Sequence, residues 1–357
     1  MAGPSMIIGA HASGLARTQA ESLASDLTQP GAGFQARLEI VDGSAEGQAG
    51  LHDDHVAQHR GEIAQLHSML RNEDIDVVIH RGFDLRGEIP QDLRIGAVLS
   101  RQNPYDVLLA PTELWLDELD ETHKVGVVQM RARAQLLDYR PELEWNLVTG
   151  DAADWLQSMY KGQIDALIAP GAAIEQLGLQ DQVCEIFPPE LLVPAPGSGI
   201  LVCLVRAIDD KNQARLKSLH DQDALVEYAA EVALVESLGG VWEQPIGALA
   251  RLEGEMLHMS AVVATADGSQ ILRDQYVAAA DDAHEAGEEF ATLLLHAGAS
   301  EILQTSADAD PGEPAAQLPK QNSSEAGAED EFFDFEEFAN RRGDAHDTHD
   351  DDEDPES

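Results

Sequence analysis

A short apolar run at residues 75–79 constrains the fold more than any other stretch of this sequence. It is rich in β-branched residues and follows a helical segment, which is typical of a buried parallel strand in an α/β protein. Asp84 comes soon after this run, at the carboxyl end of the strand. Because open α/β sheets bind their ligands at that end, Asp84 is a candidate functional acid.

The chain up to about residue 218 alternates strand-like runs with helical segments, which predicts an α/β architecture. Ser13 stands where a helix N-cap is favoured, for a helix that runs to about Leu27. Residues 42–58 are polar and are predicted to form a loop before a helix over 61–70. Further helices are predicted to begin at 111–113, at 129–131 and at 154. Strands are predicted over 6–10, 34–41, 75–79, 95–99, 107–110, 125–128, 143–147, 166–169 and 200–205.

Beyond residue 218 the pattern changes to that of a small α+β domain. An apolar helix is predicted over 225–238 and a closing helix over 281–296. Between them lie three runs that look like antiparallel strands, and Asp267-Gly268 is a hairpin signal between the last two. The predicted strands cover 248–252, 257–265 and 270–277.

Motifs along most of the chain resemble porphobilinogen deaminase, also called hydroxymethylbilane synthase. The central match is a strand ending in His80, then Asp84, then Pro90-Gln91-x-Leu93 and a run that ends at Asp106. The likeness covers about residues 5–303, and it depends on the order and spacing of several weak motifs. The other matching segments are 124–126, 130–136, 140–143, 162–169, 177–179, 192–199 and 244–248.

The resemblance implies two α/β lobes, similar to those of periplasmic binding proteins, joined by a double crossover. It places the first lobe at residues 1–101 and 196–218 and the second at 102–195. A third α+β domain follows at 219–305, and an acidic tail predicted to be disordered covers 306–357.

The resemblance also implies a chemistry and a set of site residues. The family joins four porphobilinogen units and releases ammonia at each step, so its cleft holds many substrate carboxylates on arginines. Asp84 matches the catalytic aspartate, which stabilises developing positive charge. A small anionic ligand is therefore expected between the lobes. The implied substrate-binding residues are His11, Ser13, His59, Arg131 and Arg133; His11 and His59 replace cations of the family.

Several positions depart from the family pattern, and most departures remove a cation or a thiol. The family's cysteine, which holds a dipyrromethane cofactor through a thioether, is replaced by Val241, so no cofactor is expected. Losing a bidentate partner of a buried carboxylate costs about 2–5 kcal/mol. The sequence therefore favours a degenerate member of the family. The replaced cations are at Phe83, Ala132, Thr149, Trp155 and Gln176.

The charge excludes some partners. The chain has 66 acidic and 22 basic residues, a net charge of −44. Nucleic acid and anionic membrane surfaces are disfavoured because both need clustered Lys and Arg. Two interpretations of the acidic surface stay open, namely solvation in a salty cytoplasm and an interaction surface.

The predicted tail from residue 306 carries 18 acidic and 3 basic residues, and four of the eight phenylalanines of the chain lie within 331–338. This segment is a patch within a disordered stretch, a short helix that packs back on the body, or a linear motif that docks a protein partner. Cys184 and Cys203 are predicted to be buried, without a disulfide or a metal site. We expect a cytoplasmic monomer.

Three functions remain open on these residues. The first is a working hydroxymethylbilane synthase that holds its primer without a covalent bond. The second is a non-catalytic binding or regulatory protein on the same scaffold, with the acidic tail as its contact. The third is a carrier of a small ligand in the cleft between the lobes, because the pair of lobes resembles periplasmic binding proteins. Fold alone does not settle which of the three functions is right.

Overall fold

The computed structural model describes residues 5–11, 14–28, 35–41, 51–85, 89–150, 152–239 and 244–308. Within these ranges the chain forms two sheet-and-helix lobes and a small third domain, each around its own sheet. This confirms the predicted fold class.

The first lobe is built on the strand that the sequence singled out. The chain begins with β1 Ser5–His11, α1 Gly14–Leu27, β2 Gln35–Val41, α2 Leu51–Arg71, β3 Val77–Arg81 and β4 Leu93–Val98. β1 lies parallel to both β2 and β3. The side chains of Val77 and Val78 in β3 are fully buried, as expected of a strand covered on both faces.

The second lobe follows with β5 Asp106–Leu109, β6 Lys124–Val127, α3 Met130–Tyr139, β7 Glu144–Leu147, α4 Ala152–Tyr160, β8 Ala166–Pro170, α5 Gly171–Gln176 and β9 Val183–Ile186. Its sheet has the order β7-β6-β8-β5-β9. β6 is parallel to β7 and β8, whereas β5 runs antiparallel to its neighbours.

The chain then returns to the first lobe through β10 Leu201–Arg206 and α6 Asp210–Leu216. β10 inserts antiparallel between β3 and β4, which gives the order β2-β1-β3-β10-β4. Two crossings therefore join the lobes, one before β5 and one before β10.

The third domain contains α7 Gln222–Ser237, β11 Ile246–Glu253, β12 Met256–Ala264, β13 Ile271–Ala279, α8 Ala283–His296 and α9 Ala299–Asp308. The three strands form an antiparallel sheet in sequence order. Asp221 caps α7 by accepting the backbone N–H groups of Asp223 and Ala224. α9 continues to Asp308, so its last residues occupy the first positions of the predicted tail.

Two predicted local structures are wrong. α2 begins at Leu51, inside the stretch predicted to be a loop. The prediction missed this part of the helix because polar and histidine-rich residues there hide the helical period. Residues 111–113 do not begin a helix; a short 3₁₀ turn appears only at Leu116–Glu118. The predicted Phe-rich segment at 331–338 lies outside the described residues.

A buried ion cluster joins the third domain to the two crossings. Arg101 Nη1 donates to Glu231 Oε1 at 2.6 Å and to Glu227 Oε2 at 3.2 Å. Glu231 is fully buried, and its carboxylate also accepts the backbone N–H groups of Gly197 at 2.6 Å and Ala250 at 2.7 Å. One side chain of α7 thus holds both a crossing and a strand of the third domain.

Among the helices in the described ranges, none combines the length and apolar character that a membrane crossing needs.

Candidate functional site

Asp84 lies at the carboxyl end of β3, in a 3₁₀ turn over Gly82–Asp84. Its carboxylate is nearly buried and forms a bidentate pair with Arg81, whose Nε and Nη2 donate at 2.8 and 2.9 Å. Bidentate arginine–carboxylate pairs are strong, charge-assisted interactions. The nearby Asp84 charge raises the pKa of Arg81 above its ordinary value. Asp84 therefore lies at the end of the strand where the sequence predicted it, and its carboxylate is paired with Arg81 of the same chain.

Close backbone packing fixes the turn that carries Asp84. The Gly82 N–H donates to Ile200 O at 2.7 Å, and the Tyr228 hydroxyl donates to Gly82 O at 3.2 Å. Gly197 approaches from the second crossing with φ +72°, and a Cβ there would lie 2.6 Å from the Gly82 carbonyl carbon. Only glycine fits both that conformation and that space.

His11 ends β1, and its Nε2 contacts the buried Glu62 carboxylate of α2. Two of the other predicted contacts of this lobe, Ser13 and the side chain of His59, lie outside the described part of the chain. In the same lobe, the buried His67 and His80 meet through their Nε2 atoms at 3.2 Å, and burial lowers the pKa of His67. His11, at the position where the resemblance implies an arginine, thus contacts a carboxylate of the protein itself.

Arg131 lies in the first turn of α3, as predicted, but its guanidinium faces the protein interior. Nη2 donates to both carboxylate oxygens of Asp106, at 3.0 and 2.8 Å, and Nη1 donates to Val193 O. Arg131 and Asp106 are 5% and 2% exposed. Burial raises the pKa of Asp106, although the Arg131 charge opposes this. The carboxylate that Arg131 binds here is supplied by β5.

Arg133 projects to another face of α3, as predicted. Its Nε donates to Trp145 O at 3.1 Å and its Nη1 to Ala266 O of the third domain at 3.3 Å. Arg273 of β13 reaches the same helix and donates to Gln135 Oε1 at 2.7 Å. Arg133 therefore contributes to an interface between the second lobe and the third domain.

Gln176, at a position where the resemblance implies an arginine, belongs to a chain of amides between the lobes. Gln19 of α1 donates to Gln176 Oε1 at 2.9 Å, and Gln176 donates to Gln102 Oε1 at 2.8 Å. Of the other replaced arginine positions, Thr149 is exposed, and Trp155 donates its indole N–H to Gly150 O at 3.0 Å.

Both cysteines of the chain lie in the sheets of the two lobes. Cys203 is fully buried in β10, as predicted, and burial raises the pKa of its thiol to about 12. Cys184 in β9 is only half-buried, so its predicted burial is incomplete. Neither forms a disulfide. In the described ranges, no group of three or more His, Cys, Asp and Glu side chains has a metal-binding arrangement.

Sequence reasoning missed the partners of the predicted site residues. Arg81 adjoins the turn, and Asp106 ends a motif of the resemblance, yet neither had been assigned a role. A weak signal existed for Arg81, since three-residue spacing across a tight turn brings two side chains together. No local signal pairs Asp106 with Arg131, because that contact depends on how β5 and α3 pack.

Two family models match the chain. One, described as "Porphobilinogen deaminase, dipyromethane cofactor binding domain", matches residues 6–214. The other, "Porphobilinogen deaminase, C-terminal domain", matches residues 225–296.

Curated relatives carry the same name. A porphobilinogen deaminase of Halalkalibacterium halodurans is 30% identical over 302 residues, 84% of this chain and 96% of that protein. One of Pelotomaculum thermopropionicum is 35% identical over 237 residues, 66% of this chain and 76% of that protein. Among solved structures, the methionine binding protein MetQ aligns at 15% identity with a TM-score of 0.39, over 64% of this chain and 94% of MetQ.

Proposed function

Because this chain belongs to the porphobilinogen deaminase family, we propose that it keeps the family's scaffold but does not polymerise porphobilinogen. The family acts in tetrapyrrole biosynthesis, and its substrate carries two carboxylates on every unit. A protein that handles a growing chain of such units needs several guanidinium groups free to bind them.

The observation that carries the proposal is the engagement of the arginines at the predicted site. Arg81 is paired with Asp84, Arg131 is buried on Asp106, and Arg133 holds two backbone carbonyls. Freeing Arg131 for a substrate would leave Asp106 as a buried, uncompensated charge. Breaking such a pair costs about 3–5 kcal/mol, which would be subtracted from any binding energy.

The family's dipyrromethane cofactor does not fit the residues of this chain. The resemblance places its thioether at position 241, where the sequence has valine, outside the described residues. The two thiols of the chain are on β9 and β10, in the sheets of the two lobes. We expect the intact protein to have the mass of the polypeptide alone.

In this proposal the scaffold serves binding or regulation rather than turnover. The acidic segment with its phenylalanines at 331–338 is its contact with a protein partner. The wild-type chain and Asp84→Asn should then release equally little ammonia from porphobilinogen. In a working enzyme that substitution would instead lower kcat about 10²- to 10³-fold, as expected for one lost electrostatic contact.

The test is ammonia release by both proteins in low and high salt, with the Halalkalibacterium halodurans relative as positive control. Intact-mass measurement accompanies it. Wild-type turnover above the blank in either buffer, or an added mass equal to a linked dipyrrole, would overturn the proposal.

A further inference from the structure

A cavity of about 650 Å³ opens between the two lobes, beside the first crossing. Gln19 and Ser22 of α1 form one side, and Glu175 and Gln176 of α5 form the other. The volume falls within the range of about 300–1,000 Å³ that small-molecule sites occupy. Residues from both lobes therefore line one cleft that is partly open to solvent.

The lining is rich in hydrogen-bonding groups that retain unused capacity. Gln19 is only 8% exposed, yet its described hydrogen bond uses only the amide nitrogen, towards Gln176. Its carbonyl oxygen remains as an acceptor for a ligand N–H group. Ser22, Ser100 and Ser218 add hydroxyl groups. An acceptor on a largely buried side chain favours a ligand that brings donors.

The charged lining residues are acidic. Glu175 and Asp221 contribute carboxylates, and none of the described lining residues is a lysine or an arginine. The remaining ionisable side chain is His220, whose Nδ1 accepts the Val98 N–H at 3.1 Å. The local field therefore favours cations and opposes anions.

We propose that this cavity binds a small organic cation of the amine class. Its ammonium groups would meet the Glu175 carboxylate and the Gln19 carbonyl oxygen. Its methylene chain would lie against the leucines of the lining, among them Leu23 and Leu219. This ligand class is opposite in charge to the anion that the family resemblance led us to expect in the cleft.

The experiment uses three five-carbon probes that differ only in their ends. Cadaverine carries two ammonium groups, 1,5-pentanediol two hydroxyls and glutarate two carboxylates. Titration calorimetry on the full chain at low ionic strength, where charges are least screened, should show one-site binding of cadaverine alone. Glutarate binding as tight as that of cadaverine, or no saturable cadaverine binding, overturns the proposal.

Matched variants separate a site from general attraction to an acidic protein. Glu175→Gln should weaken cadaverine about three- to fivefold, the effect of one exposed charge pair. Glu190→Gln, which removes an exposed carboxylate outside the lining, should change nothing. An equal effect of the two variants overturns the proposal.

Gln176→Arg should reverse the charge preference of the cavity, because it places a guanidinium there. Cadaverine affinity should fall at least about tenfold, and glutarate should begin to bind. Unchanged cadaverine affinity in a variant with the wild-type melting temperature also overturns the proposal. The inference goes beyond the loss of porphobilinogen turnover, which is read separately from ammonia release.

Discussion

Replacing Arg101 by leucine should destabilise the protein by about 4 kcal/mol near pH 8. The guanidinium is 4% exposed and is the shared partner of Glu231 and Glu227. Without it, Glu231 keeps two backbone N–H donors but has no positive charge beside it. Glu227 retains Arg251, at 3.1 Å. The cost is therefore set mainly by one fully buried carboxylate, at about 3–5 kcal/mol.

The destabilisation caused by Arg101→Leu should become smaller as the pH falls. Burial already raises the pKa of Glu231, and the Arg101 charge opposes that shift. In the variant the pKa rises further, so the folded state binds a proton that the unfolded state has released. Stability then falls as pH rises from the ordinary carboxyl pKa through the raised one. We expect the difference between wild type and variant to be smaller at pH 5 than at pH 8, by about 1.4 kcal/mol for each unit of additional shift.

Urea unfolding of both proteins at the two pH values measures this difference. Arg251→Leu is the matched control, because Arg251 touches the same cluster but its side chain is 44% exposed. It should cost less than about 1 kcal/mol. The double variant Arg101→Leu/Glu231→Gln should recover part of the loss, since it removes the stranded charge and keeps an oxygen that can accept one of the two backbone N–H groups. A loss below 1 kcal/mol at pH 8, or one that does not change with pH, would refute the reasoning.

Two further predictions follow from the fold. Gly197→Ala should lower the free energy of unfolding by more than about 2 kcal/mol in urea, because its Cβ would meet the Gly82 backbone. Gly178→Ala, with a similar φ of +71° and open space around it, should lower it by only about 1 kcal/mol. Equal losses would contradict the packing argument. Ending the chain at Asp308 should lower the melting temperature by no more than a few degrees, because the removed residues are rich in acids and proline; a larger drop would mean that this segment packs on the body.

The sequence predicted those features whose cause is local. Residues 75–79 are β-branched and apolar except for Asp76, and the strand β3 Val77–Arg81 forms at that point with Asp84 just beyond it. The hairpin signal Asp267-Gly268 lies between β12 and β13, and Gly268 has the positive φ that such a turn needs. Strand composition and turn chemistry act within a few residues, so they can be read from one stretch of chain.

The contacts that decide how the site behaves are not local. Glu227 and Glu231 lie four residues apart on α7, a spacing that is ordinary on a solvated helix face. They are buried because Arg101 reaches them from the first crossing, 126 and 130 residues away in sequence. In the same way, the sequence predicted Arg131 as a substrate-binding residue, and only the packing of α3 on β5 shows that it pairs with Asp106.

The burial of Cys203 makes the native chain a ready reporter of its own unfolding. A maleimide dye should react with Cys184 in the folded protein, because that thiol is partly accessible. Cys203 is buried on β10, which pairs with β3 on one side and β4 on the other. While the lobe stays folded, burial keeps its pKa raised, so little of the reactive thiolate forms. Addition of a second dye molecule would therefore count openings of the first lobe, with no engineered cysteine required.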